Sequence, residues 1–99
     1  MKHISPIELK EKLAGDGGFF LLDVREEWEH EAFNIGGTLI PLNEVMNNTD
    51  RIPKNTPVVV YCRKSVRSQI AIQRLEAKYG FTNLINLEGG MIAWQAEEK

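Results

Sequence analysis

The chain has a single cysteine, so no disulfide can form within it. It has no apolar run near the roughly 20 residues that a membrane span requires. Its first residues, Met1-Lys2-His3-Ile4-Ser5, contain no apolar core of a secretory signal. A reducing, cytoplasmic setting is the expectation. There are only two histidines, His3 and His30, and neither has metal-ligand spacing to the other or to Cys62. His3 reads as structural and His30, within an acidic segment, as a solvated surface residue. No basic stripe with interleaved aromatics is present, which argues against nucleic acid as a partner.

The 99 residues suffice for one domain with a modest core, and the whole span 1–99 reads as that domain. The net charge of −2 conceals an asymmetry. Residues 1–50 carry four Lys or Arg against ten Asp or Glu, whereas residues 51–99 carry eight against four. From Arg51 to Leu75 there are six cations and no carboxylate. The cysteine lies inside this stretch, which points to a small anionic substrate.

Local patterns divide the chain into alternating strands and helices. Met1 to Ile4 reads as a short strand. Ser5-Pro6-Ile7-Glu8 is a capping box with proline at the first helical position, so a helix should run to about Ala14, ended by Gly15-Asp16-Gly17-Gly18. Phe19 to Val24 reads as a buried strand and Glu26 to Glu31 as a short helix. Asn34-Ile35-Gly36-Gly37 is a turn, Thr38 to Leu42 an extended segment, and Asn43 to Asn48 a further helix. Val58 to Tyr61 is the strongest strand signal. The longest helix follows from Ser65 or Val66 to Tyr79, with Gly80 placed to end it. Asn83 to Leu87 is the last strand, and Met91 to Glu98 a final helix. The alternation implies an α/β fold with a mainly parallel central sheet. In such folds ligands bind beyond the carboxyl ends of strands. Cys62 and Asp23-Val24-Arg25 each follow a strand end and should share one edge.

Cys62 therefore sits between a strand and a helix, followed by Arg63, Lys64 and Arg67. A helix N-terminus and a positive field both favour the thiolate. The backbone N–H groups of the loop can turn inward as an anion nest. No general base accompanies the thiol, so the chemistry must suit an unassisted thiolate nucleophile.

Four segments carry a family resemblance. They are Leu21-Leu22-Asp23-Val24-Arg25-Glu26, Asn34-Ile35-Gly36-Gly37 leading to Ile40-Pro41-Leu42, Val59-Val60-Tyr61-Cys62-Arg63, and Asn86-Leu87-Glu88-Gly89-Gly90-Met91-Ile92-Ala93-Trp94. In order and spacing they resemble the successive motifs of single-domain rhodanese-like sulfurtransferases. The second segment also resembles rhodanese domains fused to enzymes that adenylate sulfur-carrier proteins. The resemblance implies a three-layer fold with helices on both faces of the sheet. It implies that Cys62 takes a sulfane sulfur from a thiosulfate-like donor as a persulfide and passes it to a thiol, cyanide or a sulfur-carrier protein, without a metal or other cofactor.

Residue roles follow from the same resemblance. Arg63, Lys64, Ser65 and Val66 form the loop whose amides cradle the sulfur, and Arg67 closes it. Arg63 and Lys64 bind the donor's anionic end. Asp23 and Arg25 resemble the family's Asp-x-Arg pair, with Asp23 fixing an arginine or the loop. Trp28 and Trp94 read as core or rim packing. Ser65 stands where many members have glycine, so a positive φ there would strain it. Phe33-Asn34 replaces a usual Gly-His, and Gly36 a proline. Three rivals stand beside this reading. A cysteine phosphatase or arsenate reductase would need five residues between cysteine and arginine, whereas Cys62 and Arg67 enclose four. The others are a non-catalytic partner-binding module and a persulfide relay loaded by a partner protein.

Overall fold

The structure, a computed structural model, describes residues 1–15 and 17–97. Five strands form one sheet: β1 (Lys2–Ile4), β2 (Phe20–Asp23), β3 (Thr38–Leu39), β4 (Val58–Tyr61) and β5 (Leu84–Leu87). Their order is β1-β5-β4-β2-β3, and every pairing is parallel. Four α-helices surround it: α1 (Pro6–Ala14), α2 (Glu27–Ala32), α3 (Val66–Tyr79) and α4 (Gly90–Ala96). This is an α/β fold with a parallel central sheet, as the alternation of elements implies. Among the described residues, no helix is long and apolar enough to cross a membrane.

Strand β4 organises the core. It lies at the centre of the sheet, and all four of its residues are buried. Alternation along it sends successive side chains to opposite faces. Val58, Val60 and Cys62 join one apolar cluster with Leu22, Ala71, Ile72, Leu75 and Leu84. Val59 and Tyr61 join the other with Ile4, Leu9, Leu87, Met91 and Trp94. Each valine, leucine, isoleucine or methionine among them contributes about 1.5–3 kcal/mol on withdrawal from water. The thiol is thereby directed toward α3, the helix that begins just after it.

Most elements form where local pattern places them. Ser5 caps α1: its Oγ accepts from Glu8 N at 3.1 Å, and its own N–H donates to Glu8 Oε1 at 3.0 Å. Gly80 ends α3 in the left-handed region, with φ of 67°. Trp94 is buried in the core, beneath Lys10 Nζ 4.8 Å from its ring centre. Asp16, within the expected helix stop Gly15-Asp16-Gly17-Gly18, and Glu98, the expected end of the last helix, lie outside the described residues.

Two expectations need correction. The helix expected over Asn43–Asn48 is instead a 3-10 helix over Leu42–Asn47, followed by a second over Thr49–Arg51. Its bonds close three residues back, Glu44 N to Pro41 O at 2.8 Å and Asn48 N to Val45 O at 3.1 Å. A run this short, hemmed by Pro41 and the Asn47-Asn48 pair, favours the tighter turn. The extended segment Thr38–Leu42 contributes only Thr38–Leu39 as strand. Beyond it, Ile40 N still donates to Asp23 O at 2.9 Å and Leu42 N to Val24 O at 3.1 Å. The segment thus continues along β2 while Pro41 interrupts the ladder, having no N–H to give.

Candidate active site

In register, Asp23 of β2 stands opposite Tyr61 of β4. The chain segments beginning at Val24 and Cys62 therefore leave the sheet at one edge, as two parallel neighbours must.

Cys62 forms the floor of a concave cavity of about 200 Å³ lined by Arg63, Lys64, Val66 and Arg67. Only 1% of the residue is exposed. Its Sγ accepts N–H bonds from Ser65 at 3.1 Å and from Ser68 at 3.3 Å. The sulfur thus takes a free amide at the start of α3, whose N-cap residue, Ser65, provides no side-chain cap. Helix N-termini leave such amides unpaired, and they carry the positive end of the helix dipole. Two inward amides and that dipole stabilise negative charge on sulfur.

The loop amides divide differently from the expected cradle. Those of Ser65 and Ser68 reach Sγ; among the described residues, those of Arg63, Lys64 and Val66 make no hydrogen bond to it. The reason is geometric. Ser65 turns the chain through the left-handed region, with φ of 81°, which aims its own N–H and the first helical turn back at the sulfur. That conformation costs a side-chain-bearing residue roughly 1–2 kcal/mol. Ser65 is fastened in it by its own hydroxyl: Oγ donates to Leu87 O at 2.7 Å. Arg63, Lys64 and Val66 are exposed around the mouth.

The start of α4 supports the loop from behind. Met91 N donates to Cys62 O at 2.9 Å, and Ile92 N to Arg63 O at 3.1 Å. Gly90 makes this approach possible, because a Cβ there would lie 2.5 Å from both Cys62 O and Arg63 O.

Arg67 is held in place by Glu29 of α2. Nη1 donates to Oε1 at 2.6 Å and Nη2 to Oε2 at 2.9 Å. The Arg67 hydrogen bonds hold the Glu29 carboxyl down at about 2, against its burial. Glu29 in turn raises the Arg67 pKa. Glu29 was not among the residues singled out from the sequence.

Asp23 and Arg25 form a second, buried pair. Arg25 Nε donates to Asp23 Oδ1 at 2.9 Å and Nη2 to Oδ2 at 2.8 Å. Arg25 also donates through Nη2 to Phe33 O at 2.6 Å and lies 5.5 Å from the Tyr61 ring centre. Burial opposes its charge, but Asp23 outweighs this and the net shift is upward. The pair ties the end of β2 to the end of α2 without touching Cys62. Arg25 lines a neighbouring groove of about 380 Å³ with Trp28, Glu29, Phe33, Arg63 and Ile92. Trp28, at 72% exposure, belongs to that groove's rim.

His30 is not a freely solvated side chain. Its Nδ1 lies 2.8 Å from Asp23 Oδ2, and the side chain is 22% exposed. The acidic composition of α2 suggested full hydration, but the helix turns Glu29 and His30 toward β2 and α3. His3, exposed at the sheet edge, places Nδ1 3.2 Å from Asn86 Nδ2.

A rhodanese-like domain model matches residues 5–97. YtwF of Bacillus subtilis is 34% identical over 100% of this chain and 95% of its own length. A sulfurtransferase of Allochromatium vinosum is 33% identical over 95% of this chain and 88% of its own. Among solved structures, a rhodanese-like domain protein from Staphylococcus aureus superposes with a TM-score of 0.87. Its identity is 36%, covering 95% of this chain and 91% of that one.

Proposed function

The chain belongs to the rhodanese-like domain family, and from that premise we propose that it transfers a sulfane sulfur from an anionic, thiosulfate-like donor through a persulfide on Cys62. The observation that carries the proposal is the Cys62 sulfur, on the floor of an open cavity, receiving the amides of Ser65 and Ser68 at a helix N-terminus.

The thiolate attacks the outer sulfur of the donor. A bond forms between Sγ and that sulfur, and the donor's S–S bond breaks with its electron pair departing as sulfite. An anion leaves, so no acid is required. This suits a site where the described neighbours of Sγ are amides and a hydroxyl. An acceptor nucleophile, cyanide or a thiolate, the latter free or borne by a sulfur-carrier protein, then attacks the outer sulfur. The Sγ–S bond breaks and its pair returns to Cys62, regenerating the thiolate. This is ping-pong covalent catalysis.

Arg63 and Lys64, exposed at the mouth, bind the donor's anionic end through charge-assisted hydrogen bonds. Val66 supplies an apolar wall. Arg67, fixed by Glu29, holds the far side of the loop. Asp23 and Arg25 act at a distance, bracing β2 against α2. The test is steady-state formation of thiocyanate from thiosulfate and cyanide, with Cys62→Ser alongside. Turnover that obeys ping-pong kinetics and vanishes in the variant supports the proposal, whereas turnover surviving the substitution defeats it.

A further inference from the structure

Ser68 is fully buried in the first turn of α3, and its hydroxyl faces three groups at once. Oγ lies 3.5 Å from Cys62 Sγ, 2.5 Å from Asn86 Oδ1 and 3.1 Å from Ser65 O. A serine hydroxyl has one proton to donate and two lone pairs. The shortest contact, to Asn86, claims the proton.

The surroundings of Asn86 set its orientation. Ser65 Oγ donates its own proton to Leu87 O at 2.7 Å and is therefore free to accept from Asn86 Nδ2 at 3.4 Å. His3 Nδ1 lies 3.2 Å from the same Nδ2 and accepts from it when the ring proton is on Nε2. The Ser65 hydroxyl, its own proton committed to Leu87 O, thus holds the amide nitrogen on its side and leaves Oδ1 toward Ser68. With the proton directed there, a lone pair of Ser68 Oγ faces the sulfur. That arrangement suits the neutral thiol, whose S–H donates to Oγ. It does not suit a thiolate, which can only accept.

We propose that the Ser68 hydroxyl is a catalytic group that transfers its hydrogen bond from Asn86 to the Cys62 sulfur when the sulfur becomes negative. Asn86 is the positioning residue that sets how firmly the proton is held back. The inference rests on Cys62 being the reacting thiol. When the thiol ionises, its proton leaves through the open cavity to a solvent base, and no covalent bond of Ser68 changes. The hydroxyl rotates and becomes a third donor to the sulfur, beside the two amides. In the second half-reaction Cys62 is the leaving group, and the same rotation stabilises it as the sulfur–sulfur bond breaks. Hydrogen bonds to a charged acceptor are stronger than those to a neutral one, which drives the exchange.

The test is the pH dependence of Cys62 alkylation by iodoacetamide, which reads ionisation without any sulfur transfer. Ser68→Ala keeps the amide and removes the hydroxyl. Its curve moves to higher pH, with alkylation at neutral pH roughly tenfold slower. Ser68→Thr restores the wild-type curve. Asn86→Leu removes the nearer of the two competing acceptors, leaving only Ser65 O at 3.1 Å, and moves the curve the opposite way, to lower pH; Asn86→Ala removes the same acceptor if the leucine variant does not fold. In the Ser68→Ala background, the Asn86 substitution has no further effect on the curve. A Ser68→Ala curve matching wild type overturns the proposal. So does an Asn86 variant that shifts to higher pH, since a merely structural asparagine would weaken the site as serine loss does. A protein that alkylates as described yet takes no sulfur from thiosulfate contradicts the functional reading and leaves the Ser68 assignment standing.

Discussion

Glu29 on α2 and Arg67 on α3, far apart in sequence, meet in a two-pronged ion pair with contacts of 2.6 and 2.9 Å. The pair fastens the end of the cysteine loop to the helix that follows β2. It has a pH signature. The Glu29 carboxyl falls from an ordinary 4.5 to about 2 in the folded protein. A depressed carboxylate stabilises the fold above its unfolded value and loses that contribution as pH falls through its folded value. Unfolding free energy should drop by about 1–2 kcal/mol between about pH 5 and pH 2, the figure allowing for solvent access at Arg67. Glu29→Gln should remove this part of the pH dependence. Urea titrations of both proteins across that range measure it, and parallel curves would show that Glu29 does not carry it.

Ser65 couples strain to a hydrogen bond. Its φ of 81° is unfavourable for serine, but Oγ holds Leu87 O at 2.7 Å. Ser65→Gly relieves the strain and loses the bond, so the two effects nearly cancel and stability should change by less than about 1 kcal/mol. Ser65→Ala keeps the strain and loses the bond, and should cost about 1–2 kcal/mol. Chemical denaturation ranks the three. An alanine variant as stable as wild type would remove the bond's assigned role.

Gly90 has φ of 60° and lies against the carbonyls of Cys62 and Arg63. Alanine there meets both backbone oxygens and must push α4 off the loop. Gly90→Ala should cost about 3 kcal/mol or more and slow sulfur transfer, because the loop loses its support. Unfolding and turnover measured on one preparation check this together.

Lys64 is exposed at the mouth of the Cys62 cavity. Lys64→Ala should raise the thiosulfate KM by about threefold to tenfold, with kcat less affected, because the lost contact is to the donor's charge. The difference between variant and wild type should shrink as salt is added. An unchanged KM at low salt would show that Lys64 does not bind the donor.

The parts legible from sequence were those encoded locally. The run Val58–Tyr61, the i, i+4 spacing of α3, the Ser5 capping box and Gly80 each appear within a few residues and form as read. Ser65 was legible only through the family resemblance, as a serine where many members have glycine, and its φ of 81° meets the condition for strain set there. Glu29, Ser68 and Asn86 were not. Glu29 meets Arg67 across 38 positions, and an acidic helix reads as solvated until its partner is in place. Asn86 sits in an otherwise apolar strand, on the face of β5 that also carries Leu84, toward α3. A lone buried amide in such a strand was the signal available. His30 was misread for the same reason as Glu29: its partner Asp23 becomes its neighbour only after α2 folds back.

The central claim, that Cys62 carries the transferred sulfur, is tested most directly by intact mass measurement after incubation with thiosulfate. The account predicts a gain of one sulfur atom, reversed by cyanide or a thiol and absent in Cys62→Ser. No gain across several sulfane donors, or an equal gain in the serine variant, would contradict it.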